Sequence, residues 1–588
     1  MATDAREIRA VRRRLILPAL LLIAGFCTVV VRLWAMQVQD YEKYLREGQA
    51  RLQKSVPVPA RRGDITDRNG RPLATSVVTY RLGLTPSRCP ESPAFHAAIA
   101  SVAGVSPAEV SMLLLRNPNA CHVVATGLSK EQAAQLRALA RSWRADGLSL
   151  ESVSKRVYAN GRLASHVIGF VNEAGDALGG IEQAQNAILT GVDGVIVGPT
   201  DARGYVLPGH RERYTPARHG KTVRLTIDLD IQQAATEAIA EVITKHTPST
   251  VAVVVMEPKT GDVLAMVSWP DFDPNDPGAA LRTRYRNENS SPLRNSCVSL
   301  AFPPGSVFKV FTVAAALETG VVSPETQTYC PGVRKFGGRD TRCALHGGKR
   351  AHGALNPYMA IVRSCNLAAG EFAQRLGAER FVEFIHAFGC VDKTGVGLPG
   401  ETRGLLPPPE TWGNPAHQLA VLGFGQSVSV TPLALAAAMC AFANDGRAVH
   451  PRLVASVDGR DYPVRPGKQV VSPEVARLVR QMLTGVVEDP AGTGHSAAVP
   501  GFHVGGKTGT AQRTDPITKR ISNSLYDSYF VGLVPSENTR AVVLVLVDEP
   551  RNGYYGGLVA GPVFQKIASY LVTHWRLRPD AGENGVIQ

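Results

Sequence analysis

The sequence predicts an α+β protein held by one N-terminal membrane helix, and three observations carry that prediction. Arg6, Arg9, Arg12, Arg13 and Arg14 stand before an uncharged apolar run at 15–31. Two further apolar runs, 251–256 and 263–267, flank Pro258-Lys259-Thr260-Gly261, a turn sequence that makes them an antiparallel pair. A largely helical middle follows, with more strand-like runs near the C-terminus. Strands and helices that cluster in this way, rather than alternate, belong to the α+β class.

The anchor comes first in the chain. At 1.5 Å per residue the 15–31 run spans about 26 Å, slightly short of a hydrocarbon core of about 30 Å. Extending it to residue 36, with Arg32 snorkelling, gives a full span at 15–36. No small-x-small cleavage site follows, and Phe26 before Cys27 spoils a lipoprotein site, so the helix reads as an uncleaved anchor. The arginine cluster places residues 1–14 in the cytoplasm, and everything after about residue 40 outside the inner membrane. Eight of the nine cysteines, all but Cys27, then face a compartment where disulfides form.

Beyond the anchor, 588 residues are enough for two or three domains, and 44% hydrophobic with 19% charged residues is a globular composition. The net charge of +14 suits polyanions, but the arginines are scattered and no nucleic-acid module is present. Residence beside anionic envelope polymers accounts for the charge without nucleic acid.

Residues 41–54 read as a charged helix, broken by Pro57 and Pro59. At 61–74, Asn69-Gly70 between two strand-like stretches makes a β-hairpin. Residues 80–220 mix short helices and strands, where His166, Glu173 and Glu182 read as surface or structural residues. A new unit opens near 222, with a helix at 231–245, the strand pair, a loop at 269–275 and polar residues at 275–295.

Three stretches carry chemistry. In Pro303-Pro304-Gly305-Ser306-Val307-Phe308-Lys309 a helical pattern begins at the serine, so Lys309 shares a face with Ser306. A desolvated amine there has the lowered pKa that a base for the hydroxyl needs. Ser364-Cys365-Asn366 can aim a hydroxyl and an amide into a cleft, although a helix cap is the favoured reading of the tripeptide alone. Gly505-Gly506-Lys507-Thr508-Gly509-Thr510 fits a glycine-lined strand at a cleft edge, its lysine and threonines offering charge and hydroxyls to a carboxylate. Gly501-Phe502-His503-Val504-Gly505-Gly506-Lys507-Thr508, which overlaps it, satisfies the phosphate-binding pattern G-x-x-x-x-G-K-[ST]. However, 495–500 is a poor buried strand and Gly509 with Thr514-Asp515-Pro516 cannot open a long helix, so nucleotide binding is rejected.

In the order Ser306-x-x-Lys309, Ser364-x-Asn366, Lys507-Thr508-Gly509, these motifs resemble those of serine β-lactamases and penicillin-binding proteins. The chain resembles a class B penicillin-binding protein from the anchor to about residue 573. Arg62-Gly63-Asp64-Ile65-Thr66-Asp67-Arg68-Asn69-Gly70 matches the family's pedestal motif. Segment 254–266, Gly423-Phe424-Gly425 and Val430-Thr431-Pro432 resemble its catalytic domain. Asn295-Ser296-Cys297, Leu300 and Pro303 depart from the usual pattern beside the nucleophile.

The resemblance implies a pedestal (dimerisation-like) domain at 37–221, a serine β-lactamase-like transpeptidase domain at 222–575 with an antiparallel sheet flanked by helices, and a flexible tail at 576–588. It also implies a peptidoglycan D,D-transpeptidase acting on stem peptides and inhibited by β-lactams. Ser306, Lys309, Ser364, Asn366 and Lys507 would be catalytic. Thr508, Gly509 and Thr510 would bind substrate, and backbone N–H groups of Ser306 and Thr510 would form the oxyanion hole. A membrane glycan polymerase and division proteins would be partners through the anchor and pedestal.

Segments 547–550, 554–557 and 560–564 resemble the division-specific septal type. Tyr329-Cys330-Pro331-Gly332, Cys343 and His352-Gly353 resemble elongation-type enzymes; the septal reading is favoured. A β-lactamase is disfavoured by the anchor and pedestal, and an antibiotic sensor by the short cytoplasmic segment. A non-catalytic scaffold is disfavoured by the three intact motifs. No cofactor is expected. Cys330, Cys343, His352 and Cys365 are enough donors for a structural zinc, but their irregular spacing favours a Cys330–Cys343 disulfide or separate thiols.

Overall fold

The computed structural model describes residues 4–45, 53–115, 117–172, 174–199, 213–282, 290–343, 351–514 and 521–580. Glu173, residues 46–52, Asp515, Pro516 and 581–588 lie outside them. The chain forms two compact units, residues 1–61 with 191–219, and residues 62–190 with 220–588.

In the first unit, helix α1 (Asp4–Trp34) contains the apolar run and continues as a π turn over Ala35–Gln39. Its 26-residue stretch Arg14–Gln39 is long and apolar enough to cross a membrane. Residues 41–45 are helical, as expected. Gln53 and Lys54, expected to continue that helix, instead begin the strand Gln53–Val58. This strand pairs antiparallel with Gly194–Pro199, Gln53 opposite Pro199. A ladder to residues about 140 positions away outweighs the local helical preference of a short charged segment.

In the second unit, the 61–74 hairpin forms with Ile65 opposite Ala74 and Gly70 at φ +85°. Buried Asp67 closes its turn, accepting the backbone N–H groups of Asn69 and Arg71 at 2.9 and 2.8 Å. The hairpin belongs to a seven-stranded sheet. Ile65–Thr66 lies between Pro72–Leu84 on one side and Val223–Leu225 on the other, and Val223–Leu225 in turn pairs with Val454–Val457. Glu182 is fully buried between Arg62 Nε (2.6 Å) and Arg156 Nε (2.7 Å), and His166 is buried with Nε2 2.8 Å from the Pro292 carbonyl. Both are therefore structural, as one branch of the sequence reading had them.

A five-stranded antiparallel sheet carries the site. Its strands are β1 (Thr250–Met256), β2 (Val263–Trp269), β3 (Gly505–Thr514), β4 (Ile521–Val534) and β5 (Ala541–Asp548), in the spatial order β2-β1-β5-β4-β3. The apolar runs of β1 and β5 are continuous because both faces are covered. Val251, Val253, Val255, Val543, Val545 and Val547 pack toward α2 (Leu229–Ala238) and α7 (Gly561–His574). Ala252, Val254, Met256, Val542, Leu544 and Leu546 face the larger core shared with the helical lobe. At its centre lies α3 (Lys309–Glu318), buried from residue 309 to residue 317 and packed against α4 (Asn366–Leu376) and α6 (Pro473–Glu488). Helix α5 (Pro432–Ala443) covers β1 and β5.

Candidate active site

The nucleophile candidate stands where the helical lobe meets the edge strand β3. Pro303-Pro304 stops the preceding chain, and Gly305 turns it at φ +51° with its N–H on the Gly425 carbonyl at 3.1 Å. A 3-10 turn, Gly305–Phe308, then leads directly into α3. In such a turn residues three apart eclipse, and Lys309 Nζ lies 2.9 Å from Ser306 Oγ. Gly305 abuts β3 so closely that a Cβ there would stand 3.1 Å from Ala511 Cβ. A Cβ on Gly509 would meet Pro304 O, Tyr529 Cβ and Val307 Cγ2, each at 3.0 Å. The two glycines let nucleophile turn and strand touch backbone to backbone.

Ser364 sits between the helix Pro357–Val362 and α4, in the left-handed region at φ +54°. For a non-glycine residue this costs about 1–3 kcal/mol, and it turns both the carbonyl and the hydroxyl of Ser364 toward the lysines. Lys309 Nζ reaches them at 2.5 and 3.1 Å. Lys507 Nζ lies 3.0 Å from the same hydroxyl and 3.3 Å from Thr508 Oγ1, which in turn is 2.9 Å from Thr493 Oγ1.

Ser306, Lys309, Ser364, Lys507 and Thr508 thus form one continuous chain of hydroxyls and amines. Thr510 and Asn366 stand outside it. Thr510 Oγ1 accepts the Gly556 N–H at 3.0 Å, and the Asn366 amide donates to the Arg342 carbonyl at 3.3 Å.

Both lysines are fully buried. Burial lowers the Lys309 amine to about 8, against the opposing pull of the nearby sulfurs of Cys343, Cys365 and Cys330. Lys507 is held well below the ordinary lysine range by burial and then by the charge of Lys309. Among the described residues neither amine is hydrogen-bonded to a carboxylate. This pair can therefore hold a neutral amine beside a serine hydroxyl, the arrangement that nucleophilic acyl transfer requires.

The residues that depart from the usual pattern are accommodated. Ser296 is buried, its hydroxyl 2.7 Å from Ser268 Oγ at the end of β2, and Leu300 joins the core. The sequence gives no signal for Arg513. Arg513 pairs with Asp548 and with Glu549 (3.0 Å) beneath β3 and lies over the Phe302 ring. Arg513 carries no local motif; its place near the end of β3 brings it to the residues that end β5.

Of the two expected alternatives, a Cys330–Cys343 disulfide or separate thiols, the described cysteines are separate thiols. Cys330, Cys343, His352 and Cys365 converge, their ligand atoms within 4.8 Å of one another, and the Asn366 N–H points at Cys343 Sγ from 3.3 Å.

Comparison with known proteins places this geometry. The penicillin binding protein transpeptidase domain family matches residues 251–569, and the penicillin-binding protein dimerisation domain family matches residues 57–225. The chain is a class B penicillin-binding protein. It is 33% identical to the penicillin-binding protein PbpB of Mycolicibacterium smegmatis, over 96% of this chain and 91% of that one. To the peptidoglycan D,D-transpeptidase FtsI of Escherichia coli it is 27% identical, over 94% of this chain and 90% of that one. Its structure is similar to that of penicillin binding protein 3 from Mycobacterium tuberculosis complexed with aztreonam. The TM-score is 0.68 at 29% identity, covering 90% of this chain and 98% of that one.

As a class B penicillin-binding protein the chain is a peptidoglycan D,D-transpeptidase of the serine acyl-enzyme type, and its N-terminal apolar helix fits a membrane anchor. The expected fold, a pedestal and a transpeptidase domain with a sheet flanked by helices, is the one observed.

Proposed function

We propose that Ser306 is the acylated nucleophile and Lys309 its general base. The observation that carries this reading is the buried Lys309 amine, its pKa lowered by desolvation, 2.9 Å from Ser306 Oγ. Lys309 takes the hydroxyl proton as Ser306 Oγ attacks the penultimate D-Ala carbonyl of a stem peptide. Backbone N–H groups of Ser306 and Thr510 hold the oxyanion, each worth about 3–4 kcal/mol. The Ser364 hydroxyl, bonded to both amines, passes the proton to the departing D-Ala nitrogen. Asn366 holds the substrate amide, while Lys507, Thr508 and Thr510 hold its terminal carboxylate. The amine of a neighbouring stem then attacks the ester and restores Ser306. A β-lactam acylates the same oxygen.

Fluorescent-penicillin labelling tests this assignment. Wild type labels and Ser306→Ala does not; labelling that survives in Ser306→Ala overturns it.

We infer the cellular setting from the relatives and the anchor. Similarity to FtsI and PbpB supports septal wall synthesis, and the arginines before the apolar run support a cytoplasmic N-terminus with the catalytic unit outside the inner membrane. A membrane glycan polymerase and division proteins would dock on the anchor and pedestal. A fluorescent fusion should gather at midcell before constriction, and depletion should give filaments. Sidewall labelling with rounding of depleted cells would refute the septal role.

A further inference from the structure

Acyl transfer makes no use of Cys330, Cys343, His352 or Cys365, yet four separate local structures deliver them to one point. Cys330 ends the strand Thr328–Cys330, and its partner across the ladder is Gly353, which sets His352 alongside. Cys343 follows the strand Arg339–Arg342, its N–H fixed on the Gly332 carbonyl at 2.9 Å. Cys365 is the N-cap of α4. Cys343 Sγ lies 3.6 Å from Cys365 Sγ and 3.5 Å from His352 Nδ1.

Those distances are the edges of a particular polyhedron. A tetrahedral zinc with bonds of about 2.3 Å to sulfur and about 2.0–2.1 Å to nitrogen sets S···S near about 3.8 Å and S···N near about 3.5 Å. A disulfide needs sulfurs about 2.05 Å apart and would use only two of the three thiols. Two backbone donors already face the sulfurs, Asn366 N–H on Cys343 at 3.3 Å and Ala368 N–H on Cys365 at 3.4 Å. Such N–H···S contacts stabilise thiolates and orient them toward a metal. Three cysteines and one histidine supply four protein donors, which complete a tetrahedral shell and leave no position for a labile ligand. Soft sulfur with one imidazole selects zinc over magnesium or calcium.

We propose that Cys330, Cys343, His352 and Cys365 form a closed Cys3His zinc site that positions the Ser364-Cys365-Asn366 turn. Cys365 lies between the proton-relay hydroxyl and the substrate-binding amide, so fixing its sulfur fixes both neighbours. The same ion ties the strand pair at 328–355 to α4. Binding of the ion stands independently of the role assigned to Ser306; only its effect on acylation rests on that role.

The test uses the full-length protein in detergent, purified without chelator. Elemental analysis should find one zinc per chain, and cobalt reconstitution should give the visible bands of a tetrahedral ion together with thiolate-to-metal charge transfer. Cys343→Ser and His352→Ala should lose both. His352→Cys should retain metal in an all-sulfur site, which keeps the test open if the first two variants misfold. Wild type that stays metal-free after zinc reconstitution, or a disulfide among the three cysteines in mass spectra, overturns the site. Chelation should slow penicillin acylation by about 10–100-fold while the protein stays folded by circular dichroism. Unchanged acylation in metal-free, folded protein overturns the positioning role.

Discussion

At Ser364 one hydroxyl lies between two buried amines, 3.1 Å from Lys309 and 3.0 Å from Lys507. A hydroxyl donates a single proton, so only one amine can receive it while the other donates to the oxygen. Burial depresses both amines, and the one beside Ser306 must be neutral to act as the base. With the Lys309 amine at about 8, acylation should rise with pH through that value and level off above it. Below it the rate falls about tenfold per pH unit as the base is protonated. A profile of second-order acylation that stays flat from acid to alkaline pH would contradict this. Lys309→Ala should lose about 10²–10⁴-fold in acylation while its thermal melting remains cooperative. Of this chemistry the Ser306–Lys309 contact was readable, because helical spacing brings i and i+3 together. The left-handed φ of Ser364 was not, since nothing in Ser-Cys-Asn signals a positive φ; it is imposed by the two helices that meet there.

Between elements, the decisive contact is the nucleophile turn against β3. Gly509→Ala would place a methyl 3.0 Å from two side-chain carbons and a carbonyl oxygen. Overpacking of that kind costs about 1–3 kcal/mol, and here it also pushes Ser306 away from the strand. Denaturant unfolding should show the stability loss, and penicillin labelling a slower rate; a variant that equals wild type in both would show that the contact yields freely. The strands β1 and β5 could be anticipated from their unbroken apolar runs, which only a sheet covered on both faces explains. The strand pairs around Cys330 and Cys343 are short and polar, and sequence gives such pieces no period to read. The same weakness turned Gln53 and Lys54 into an expected helix, because their pairing partners lie beyond any local window.

At the scale of the molecule, the sheet joining Ile65–Thr66, Val223–Leu225 and Val454–Val457 links three distant parts of the chain. A domain boundary expected at residue 221 falls just before its middle strand. Parallel pairing between residues about 160 positions apart leaves no trace in composition or turn signals, so the hairpin at 61–74 was foreseeable and its neighbour was not. A fragment beginning at residue 222 would present Val223–Leu225 as an open edge, with buried Val223 and Leu225 uncovered. It should aggregate on refolding, whereas deletion of residues 1–36 alone should give soluble protein that still labels with penicillin; a monomeric, labelling 222–588 fragment would refute this.

That strand pairing also restricts how such enzymes can be recombined. A chimaera that exchanges everything before residue 222 for the corresponding segment of a relative would replace Ile65–Thr66 while retaining Val223–Leu225 and Val454–Val457. The crossover would then split a hydrogen-bonded ladder between two parents. Exchange of sequence between relatives should succeed where the three strands travel together, or where the join falls inside the helical lobe and leaves this ladder to one parent.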